Sequence, residues 1–484
     1  MGEIDGGAWL LEGSAKADGG RRRSGWTLGA AALVVLCSCL LPHAAGQGRG
    51  ETLLRKEPAR VRAAQRFMAR RGVGPNSRLR GGRNSGAAAV PLASGSPVWT
   101  AVGPVAVNSL SYGLVTGRVS AVAVDPSDAT GNHVYVGTTG GGLWKSQNAA
   151  ASAPGSVQFM PVTDGLGALS NVVDAGVSVG AVTVQPGGTG VVLAGLGDPN
   201  DALDSYYGAG LLRSTDGGLT WALIQQTMDL EDGLSAQDYS FVGEGFSGFA
   251  WSSTNVQLVV AAVSQAYEGT LVNAGQAAKS YEGLYWSNDG GATWHLARIS
   301  DPNGQDVQGP GDAFTLPDGN AATAVVWNPV RRVFVAAVRY HGYYQSSDGE
   351  NWTRLGNSPN GQPGTGLSMA NCPTEAGSVG VAGCPIFRGS LAVNLQTGDT
   401  FAWTVDAFNQ DQGIWQDQCG LSGSACTNQT MTFGVRLGTS ALEEADGDGA
   451  VTIANGDYNL TLSAVPAGLV PVTPTSVQSW RHRR

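Results

Sequence analysis

Leu212 to Trp221 reads LRSTDGGLTW, and the pattern returns twice: Leu284 to Trp294 reads LYWSNDGGATW, and Tyr344 to Trp352 reads YQSSDGENW. Each stretch has a short apolar or aromatic run, then Ser-x-Asp, then a tight turn, then Trp. The run suits a strand, and Asp-Gly suits a hairpin reversal. A carboxylate two residues after a serine can accept hydrogen bonds from the amides of its own turn. The closing indole is expected to pack back over the hairpin. Ser214, Asp216 and Trp221, with Ser287, Asp289 and Trp294, and Ser346, Asp348 and Trp352, are therefore read as structural. A staple repeated at this interval predicts a modular β architecture.

Working outward, the same order of four short apolar strands recurs. Gly117–Asp125, His133–Thr138, Gly142–Ser146 and Val157–Val162 form one unit. Val177–Val184, Val191–Gly195, Leu211–Ser214 and Thr220–Gln225 form a second, and Phe246–Trp251, Val256–Val263, Gly283–Ser287 and Thr293–Ile299 a third. Ala321–Trp327, Val333–Val338, Gly342–Ser346 and Trp352–Leu355 make the fourth; Ser390–Leu395, Thr400–Val405, Gly413–Gln416 and Thr430–Leu437 make the fifth. Four strands in a meander make one propeller blade. The expected fold is all-β, a propeller of about five blades with a sixth opened by Val451–Val465. Blade one has Asn148 where the aspartate would stand, and no Trp follows. In blade five the turn is Asp417 to Cys426, where a disulfide can replace the Asp-centred bonds.

The octets Ser214–Trp221 and Ser287–Trp294 resemble the Asp-box, or bacterial neuraminidase repeat, S-x-D-x-G-x-T-W; Ser346–Trp352 is one residue shorter. The resemblance implies a β-propeller like those of sialidases, xyloglucanases and the sortilin N-terminal domain. It implies no activity, because the box occurs in enzymes and non-enzymes alike. Gly117, Val157–Val162, Ser205–Gly210 and Ile453–Leu460 are similar to segments of bacterial sortilin-like propeller proteins, a resemblance spanning roughly residues 55 to 465. Those proteins run well past this point. Propellers usually close, since an open ring leaves strand edges bare. A shortened gene product is expected, ahead of ring closure by Trp99–Val105 or an incomplete arc.

The chain has 484 residues, 72 of them Gly, and only 14% are charged, which suits a turn-rich β protein. Its net charge of −9 hides a division: residues 1–98 carry +9 and residues 99–484 carry −18. An acidic body argues against nucleic acid as a partner. Arg21-Arg22-Arg23, the apolar run Trp26–Leu41 and Ala44-Ala45-Gly46 read as a signal peptide over 1–46. At 16 residues that run is short for a membrane span, so none is expected after cleavage. Residues 47–98 read as a basic helical segment followed by a flexible linker, 99–465 as the propeller, and 466–484 as a disordered tail. Secretion, a periplasmic location or the cell surface follows, and the protein is expected to be a monomer. Four cysteines remain after the signal, and of their three pairings the local one is expected, Cys372 with Cys384 and Cys419 with Cys426.

Ligand sites sit on loops over a rigid scaffold. The Asp-centred turns join strands three and four. The loops joining strands two and three lie on the other face and hold the acids and aromatics. Asp198, Asp201, Asp204, Tyr206, Tyr207, Tyr340, His341, Asp406 and Asp411 are the candidate ligand-binding residues. Aromatic faces stack on sugars, and carboxylates accept hydroxyl hydrogen bonds. The expected role is a carbohydrate- or protein-binding surface module, with a glycan or an extracellular protein as partner. The alternative is a secreted glycoside hydrolase, xyloglucanase- or sialidase-like, with Asp198 and Asp204 as acid and nucleophile or base. Sialidase chemistry needs an arginine cluster, and only Arg118, Arg213 and Arg339 offer themselves. No cofactor or metal ligand spacing is evident; calcium is the one ion the acidic loops leave open.

Overall fold

The computed structural model describes residues 107–464, apart from 110–112, 116, 170–176, 200–204, 266–281, 301–305, 309–320, 356–371, 373–383, 385, 420–425, 427–430, 438–452, 454–455 and 457–459. The chain divides into two units, Met1–Val98 and Trp99–Arg484, and every described residue belongs to the second. The signal segment, the basic helix, the linker and the tail lie outside the described residues. So does the proposed closure by Trp99–Val105.

A hairpin of β1 (Val107–Ser109) and β2 (Gly113–Val115) precedes five sheets, each built on four antiparallel strands. Blade one is β3 (Val119–Val124), β4 (Val134–Thr138), β5 (Gly142–Ser146) and β6 (Met160–Pro161). Blade two is β7 (Val179–Val184), β8 (Val192–Leu196), β9 (Leu211–Ser214) and β10 (Ala222–Ile224). Blade three is β11 (Glu244–Trp251), β12 (Val259–Gln265), β13 (Gly283–Ser287) and β14 (His295–Leu296). Its outer continuation, β15 (Arg298–Ser300) with β16 (Asp306–Gln308), leaves that sheet. Blade four is β17 (Ala322–Asn328), β18 (Val333–Val338), β19 (Gly342–Ser346) and β20 (Asn351–Arg354). Blade five is β21 (Arg388–Val393), β22 (Thr400–Val405), β23 (Asp411–Asp417) and β24 (Val435–Leu437). The four strands of each blade pair in chain order. The first strands of successive sheets pack side by side, which puts them innermost and makes the five sheets propeller blades.

The second strands show why the sequence folds this way. They are continuous apolar runs because both of their faces are covered. In β12, Val259, Ala261 and Val263 join the core toward blade two, with Leu193, Leu211 and Phe246. Their neighbours Val260 and Ala262 point the other way, into a core with Phe334, Ala336, Val338 and Trp352. In β18 the remaining residues, Val335 and Ala337, face blade five, with Tyr343, Leu391, Ala402 and Trp415. The period of two thus distributes one strand between two cores.

The Ser-x-Asp stretches fold into tight, hydrogen-bonded turns. Asp289 Oδ1 accepts from Ser287 Oγ at 2.8 Å and from the amides of Ala292 at 2.9 Å and Thr293 at 3.0 Å. Its Oδ2 takes the Thr293 hydroxyl at 2.7 Å, and Ser287 Oγ accepts the Gly291 amide at 2.9 Å. Asp216 and Asp348 repeat the pattern, with Asn351 standing in for the threonine at Asp348. Each indole donates to a glycine carbonyl of its own turn: Trp221 to Gly218, Trp294 to Gly291, Trp352 to Gly349. Trp294 and Trp352 are fully buried, and each lies in the core shared with the preceding blade. Burial pushes all three carboxyls up, yet the hydrogen bonds together outweigh it and hold Asp216, Asp289 and Asp348 below the ordinary carboxylate range.

The turns also clasp neighbouring blades. Lys145 Nζ and Tyr135 Oη of blade one donate to Gly217 O of blade two, at 2.7 and 2.8 Å. Arg213 Nε of blade two donates to Gly290 O of blade three at 2.9 Å. Gly349 of blade four lies against Val260, Leu258 and Trp286 of blade three. Arg331 of blade four holds Asp417 of blade five through two nitrogens, at 2.9 and 3.0 Å, and donates to Cys426 O at 2.9 Å. So blade five replaces the aspartate turn with a buried ion pair as well as the Cys419–Cys426 disulfide. Cys372 pairs with Cys384.

Three expectations need adjustment. Blade one does have a version of the turn: Asn148 Oδ1 accepts from Ser146 Oγ and the Gln158 amide, while its Nδ2 donates to Ser156 O. Blade three's fourth strand stops at Leu296, and Arg298–Ser300 then pairs in parallel with β20, widening blade four to six strands. Among the described residues of 451–465 no strand forms. Leu460 and Leu462 nevertheless face inward onto Ala392, Trp403, Val405 and Ile414 and cover the far side of blade five. The far side of blade one is bare by comparison, with Val122 60% and Val124 54% exposed.

Two outcomes follow. Asp289→Asn should lower stability by about 2 kcal/mol at neutral pH, since it weakens several charge-assisted hydrogen bonds. Because the folded pKa is depressed, that stabilisation is complete above the ordinary Asp value near 4 and is lost as pH falls through the folded value. The gap in melting temperature between wild type and variant should therefore narrow below about pH 4; a gap constant to pH 2.5 would contradict this. Arg331→Met should cost about 3–5 kcal/mol in urea unfolding by stranding the buried Asp417, and Asp417→Leu added to it should recover most of the loss.

Candidate functional site

Every first strand begins, and every second strand ends, on the face opposite the Ser-x-Asp turns. On that face the loop after β8 is drawn into the middle. Gly197 donates to Ser178 O at 2.8 Å, Asp198 N to Tyr206 O at 2.7 Å, and Gly208 N to Glu244 O at 2.8 Å. The approach is so close that glycine is required. A Cβ on Gly180 would sit 2.5 Å from Gly197 O and 2.8 Å from Pro199 Cδ, and one on Gly245 would sit 2.9 Å from Asp198 O.

Three other blades reach this loop. Arg118, at the start of β3, places Nη2 2.6 Å from Asp198 Oδ2; the arginine is half exposed and the aspartate buried. The Pro199 carbonyl accepts Ser264 Oγ of blade three at 2.8 Å and Arg388 Nη2 of blade five at 3.1 Å. Blades one, three and five are thus fastened to blade two at a single dipeptide.

In blade four the connection shrinks to Arg339, Tyr340 and His341. Tyr340 takes a left-handed φ of 60° and donates its amide to Ile386 O at 2.7 Å. The Phe387 ring lies 4.3 Å under the Arg339 guanidinium and edge-on to Tyr340, with centroids 5.5 Å apart. His341 is fully buried. In blade five, Asp406 Oδ1 accepts the amides of Phe408 at 2.8 Å and Gln410 at 2.9 Å, and its Oδ2 takes Gln412 Nε2 at 3.1 Å. Asp411 Oδ1 takes the Gly413 amide at 2.9 Å and Trp403 Nε1 at 3.1 Å.

Of the candidate residues, Asp198, Tyr206 and Tyr207 belong to the blade-two loop, Tyr340 and His341 to blade four, and Asp406 and Asp411 share one turn. Tyr206, Tyr207 and Tyr340 are half-buried. Asp201 and Asp204 lie outside the described residues. The three candidate arginines do not converge: Arg118 and Arg339 lie on this face, while Arg213 serves a turn on the other. Arg388, Ser264 and Phe387 were not foreseen. Arg388 opens β21 as Arg118 precedes β3, so the signal was the strand start, which the apolar pattern places two residues late at Ser390. Among the described residues, no group of three or more His, Cys, Asp or Glu side chains is placed to hold a metal ion. None of their helices is long and apolar enough to cross a membrane.

No protein-family profile matches the chain, and no curated protein does. Solved structures resemble it loosely. An ancestral GH74 enzyme aligns over 62% of this chain and 29% of its own, at 16% identity and TM-score 0.36. YCF48 bound to D1 peptide aligns over 63% and 64%, at 12% identity and TM-score 0.30. YCF48 from Cyanidioschyzon merolae aligns over 65% and 70%, at 13% identity and TM-score 0.32. The chain spans less than a third of the ancestral enzyme. Likenesses this loose assign no activity, and the propeller architecture rests on the sheet order and interblade packing above.

Gly180→Ala should push the 197–199 loop off β7 and cost about 1–3 kcal/mol in urea unfolding, by overpacking. Ser264→Ala, which removes only one hydrogen bond to Pro199 O, should cost about 1 kcal/mol. A Gly180→Ala cost well below about 1 kcal/mol would mean that the loop is not tightly seated.

Proposed function

We propose that the protein is a binding module of the Asp-box propeller type, and that its ligand face is the one centred on Asp198 and Pro199. One observation carries this reading over hydrolysis. The described candidate carboxylates are engaged in building the face: Asp198 pairs with Arg118, Asp406 caps its own turn, and Asp411 holds Trp403 and Gly413. A glycoside hydrolase needs two carboxyl groups about 5–10 Å apart across one groove, with protons to give and take. A carboxylate whose oxygens are taken up by an arginine or by the amides of its own turn is already held to a structural task. Half-buried tyrosines on backbone held by hydrogen bonds, as Tyr206 O is by Asp198 N and Tyr340 N is by Ile386 O, suit recognition instead, since little ordering of them is left to binding. The two disulfides support an extracellular setting, where either a glycan or a protein is available as ligand.

The test runs two assays on the full chain. Plant and bacterial polysaccharides are incubated with it and reducing ends measured, and the same polysaccharides, with a glycan array and a panel of folded proteins, are screened for saturable binding. Binding without release of reducing ends is expected. Release that disappears in Asp198→Asn or Asp204→Asn would replace this reading with the hydrolase.

A further inference from the structure

We infer that His295 is a proton-controlled latch: when charged, it holds the arm formed by residues 225–241 against the outer strand of blade three through two carboxylates of that arm. The inference stands apart from the ligand-face reading above.

The arm leaves blade two after β10 and returns ahead of β11. Its stem is closed by antiparallel bonds, Phe241 N to Gln225 O at 2.7 Å and Thr227 N to Tyr239 O at 2.9 Å. Its far part lies along β14. Met228 N donates to Trp294 O at 2.9 Å, and Leu296 N donates to Asp229 Oδ2 at 3.2 Å. His295 sits between those two attachments. Its Nδ1 is 3.5 Å from Asp229 Oδ1, and its Nε2 is 3.5 Å from Asp232 Oδ2. Asp229 is fully buried and His295 is 4% exposed, whereas the Asp232 side chain is 52% exposed. Neither Asp229 Oδ1 nor His295 Nδ1 has a hydrogen-bond partner elsewhere among the described residues.

Both ring nitrogens therefore face a carboxylate. A neutral imidazole carries one N–H, so one carboxylate would meet a ring lone pair; the imidazolium donates from both nitrogens. A carboxylate as buried as Asp229 also needs a compensating charge, and His295 is the cation within its reach. The other groups around the ring do not compete. The β13 residue opposite His295 is Trp286, a neutral indole with its ring centroid 4.8 Å away. Asp238 of the arm is taken up by the Leu230 amide at 3.0 Å and by Gln226 Nε2 at 3.1 Å, and Glu231 is exposed. Asp229 and Asp232 belong to the same arm, so loss of one proton weakens two holds on it at once. Docking and proton uptake support each other. The arm is held where histidine is charged, and the hold is lost as pH rises through the range in which histidines release their proton. The stem runs on into Gly243 and Glu244, which exchange hydrogen bonds with Gly208, so the latch stands at the end of the loop that carries Asp198.

Hydrogen–deuterium exchange of the full chain tests this, read on peptides covering residues 228–238 and corrected for the intrinsic pH dependence of exchange. Protection of the arm should fall about tenfold or more between about pH 5.5 and about pH 8.5. Peptides from β12, buried on both faces, should keep theirs. His295→Gln, neutral throughout, should show the weaker protection at both pH values. Asp232→Asn alters an exposed side chain and should flatten the response by removing one of the two holds. Wild-type protection that stays constant across the interval would overturn the latch, as would an equal fall in His295→Gln. Should His295→Gln not fold, Asp232→Asn decides: a response as steep as that of the wild type would refute the two-carboxylate hold.

Discussion

The fold depends on a turn with two attachments. Inside its blade, an aspartate two residues after a serine gathers the amides and hydroxyl of a tight reversal, and an indole closes the hairpin from below. Toward the neighbouring blade, the same turn offers a carbonyl to a cation or phenol, as Gly217 does to Lys145 and Tyr135 and Gly290 does to Arg213. The first attachment makes a rigid wedge, and the second sets its distance from the next. A hydrogen bond from a charged donor is worth about 1.5–3 kcal/mol at most, so no single clasp holds the molecule. Their effect is registry: they keep the apolar faces of adjacent sheets aligned, and burial of those faces then supplies the stability.

The clasp tolerates changes of chemistry so long as both attachments survive. Between blades three and four the donor is a backbone amide, Arg298 N to Glu350 O at 2.7 Å, and Gly349 rests on Val260, Leu258 and Trp286. Between blades four and five the roles invert: the carboxylate belongs to the next blade and the arginine reaches it from behind. In blade one an asparagine performs the inner task, and a longer excursion with Ser156 and Gln158 satisfies its amide. A further set of contacts runs in the opposite chain sense, with Trp251 donating to Thr183 and Trp327 to Ser253. Blades three and four therefore each both give to and receive from the one before.

The blades were legible in the sequence because their second strands are apolar on both faces and their turns carry a fixed constellation. VVAAV at Val259–Val263 and VFVAAV at Val333–Val338 have no other plausible home than between two layers. The serine and aspartate spacing marks where one strand ends and the next begins. Legibility failed where the determinant was not local. Arg298–Ser300 reads like the end of blade three's last strand, yet it joins blade four, because pairing with β20 depends on how two sheets abut. Arg388 and Ser264 look like ordinary strand-end residues, and only the assembled fold brings them to the Pro199 carbonyl, Arg388 from 189 positions away. Asp198 stood out as an acid beside tyrosines, but nothing near it in sequence announces Arg118.

The two faces of the blades divide the labour. One carries Ser-x-Asp turns whose side chains are occupied with one another and with the adjacent blade, so that face is a foundation. The other carries connections of unequal length, from the three-residue turn at Arg339–His341 to the long loop after β8. Asp198 and Pro199 fix the centre of that second face. They bind the loop after β8 to three other blades, so that the half-buried Tyr206, Tyr207 and Tyr340 sit around a fixed base. A face built this way gains its precision from the interblade clasps beneath it. Loosening a turn on one side should therefore be felt as disorder on the other, because the strands that join them are buried on both faces and have no freedom to absorb the shift.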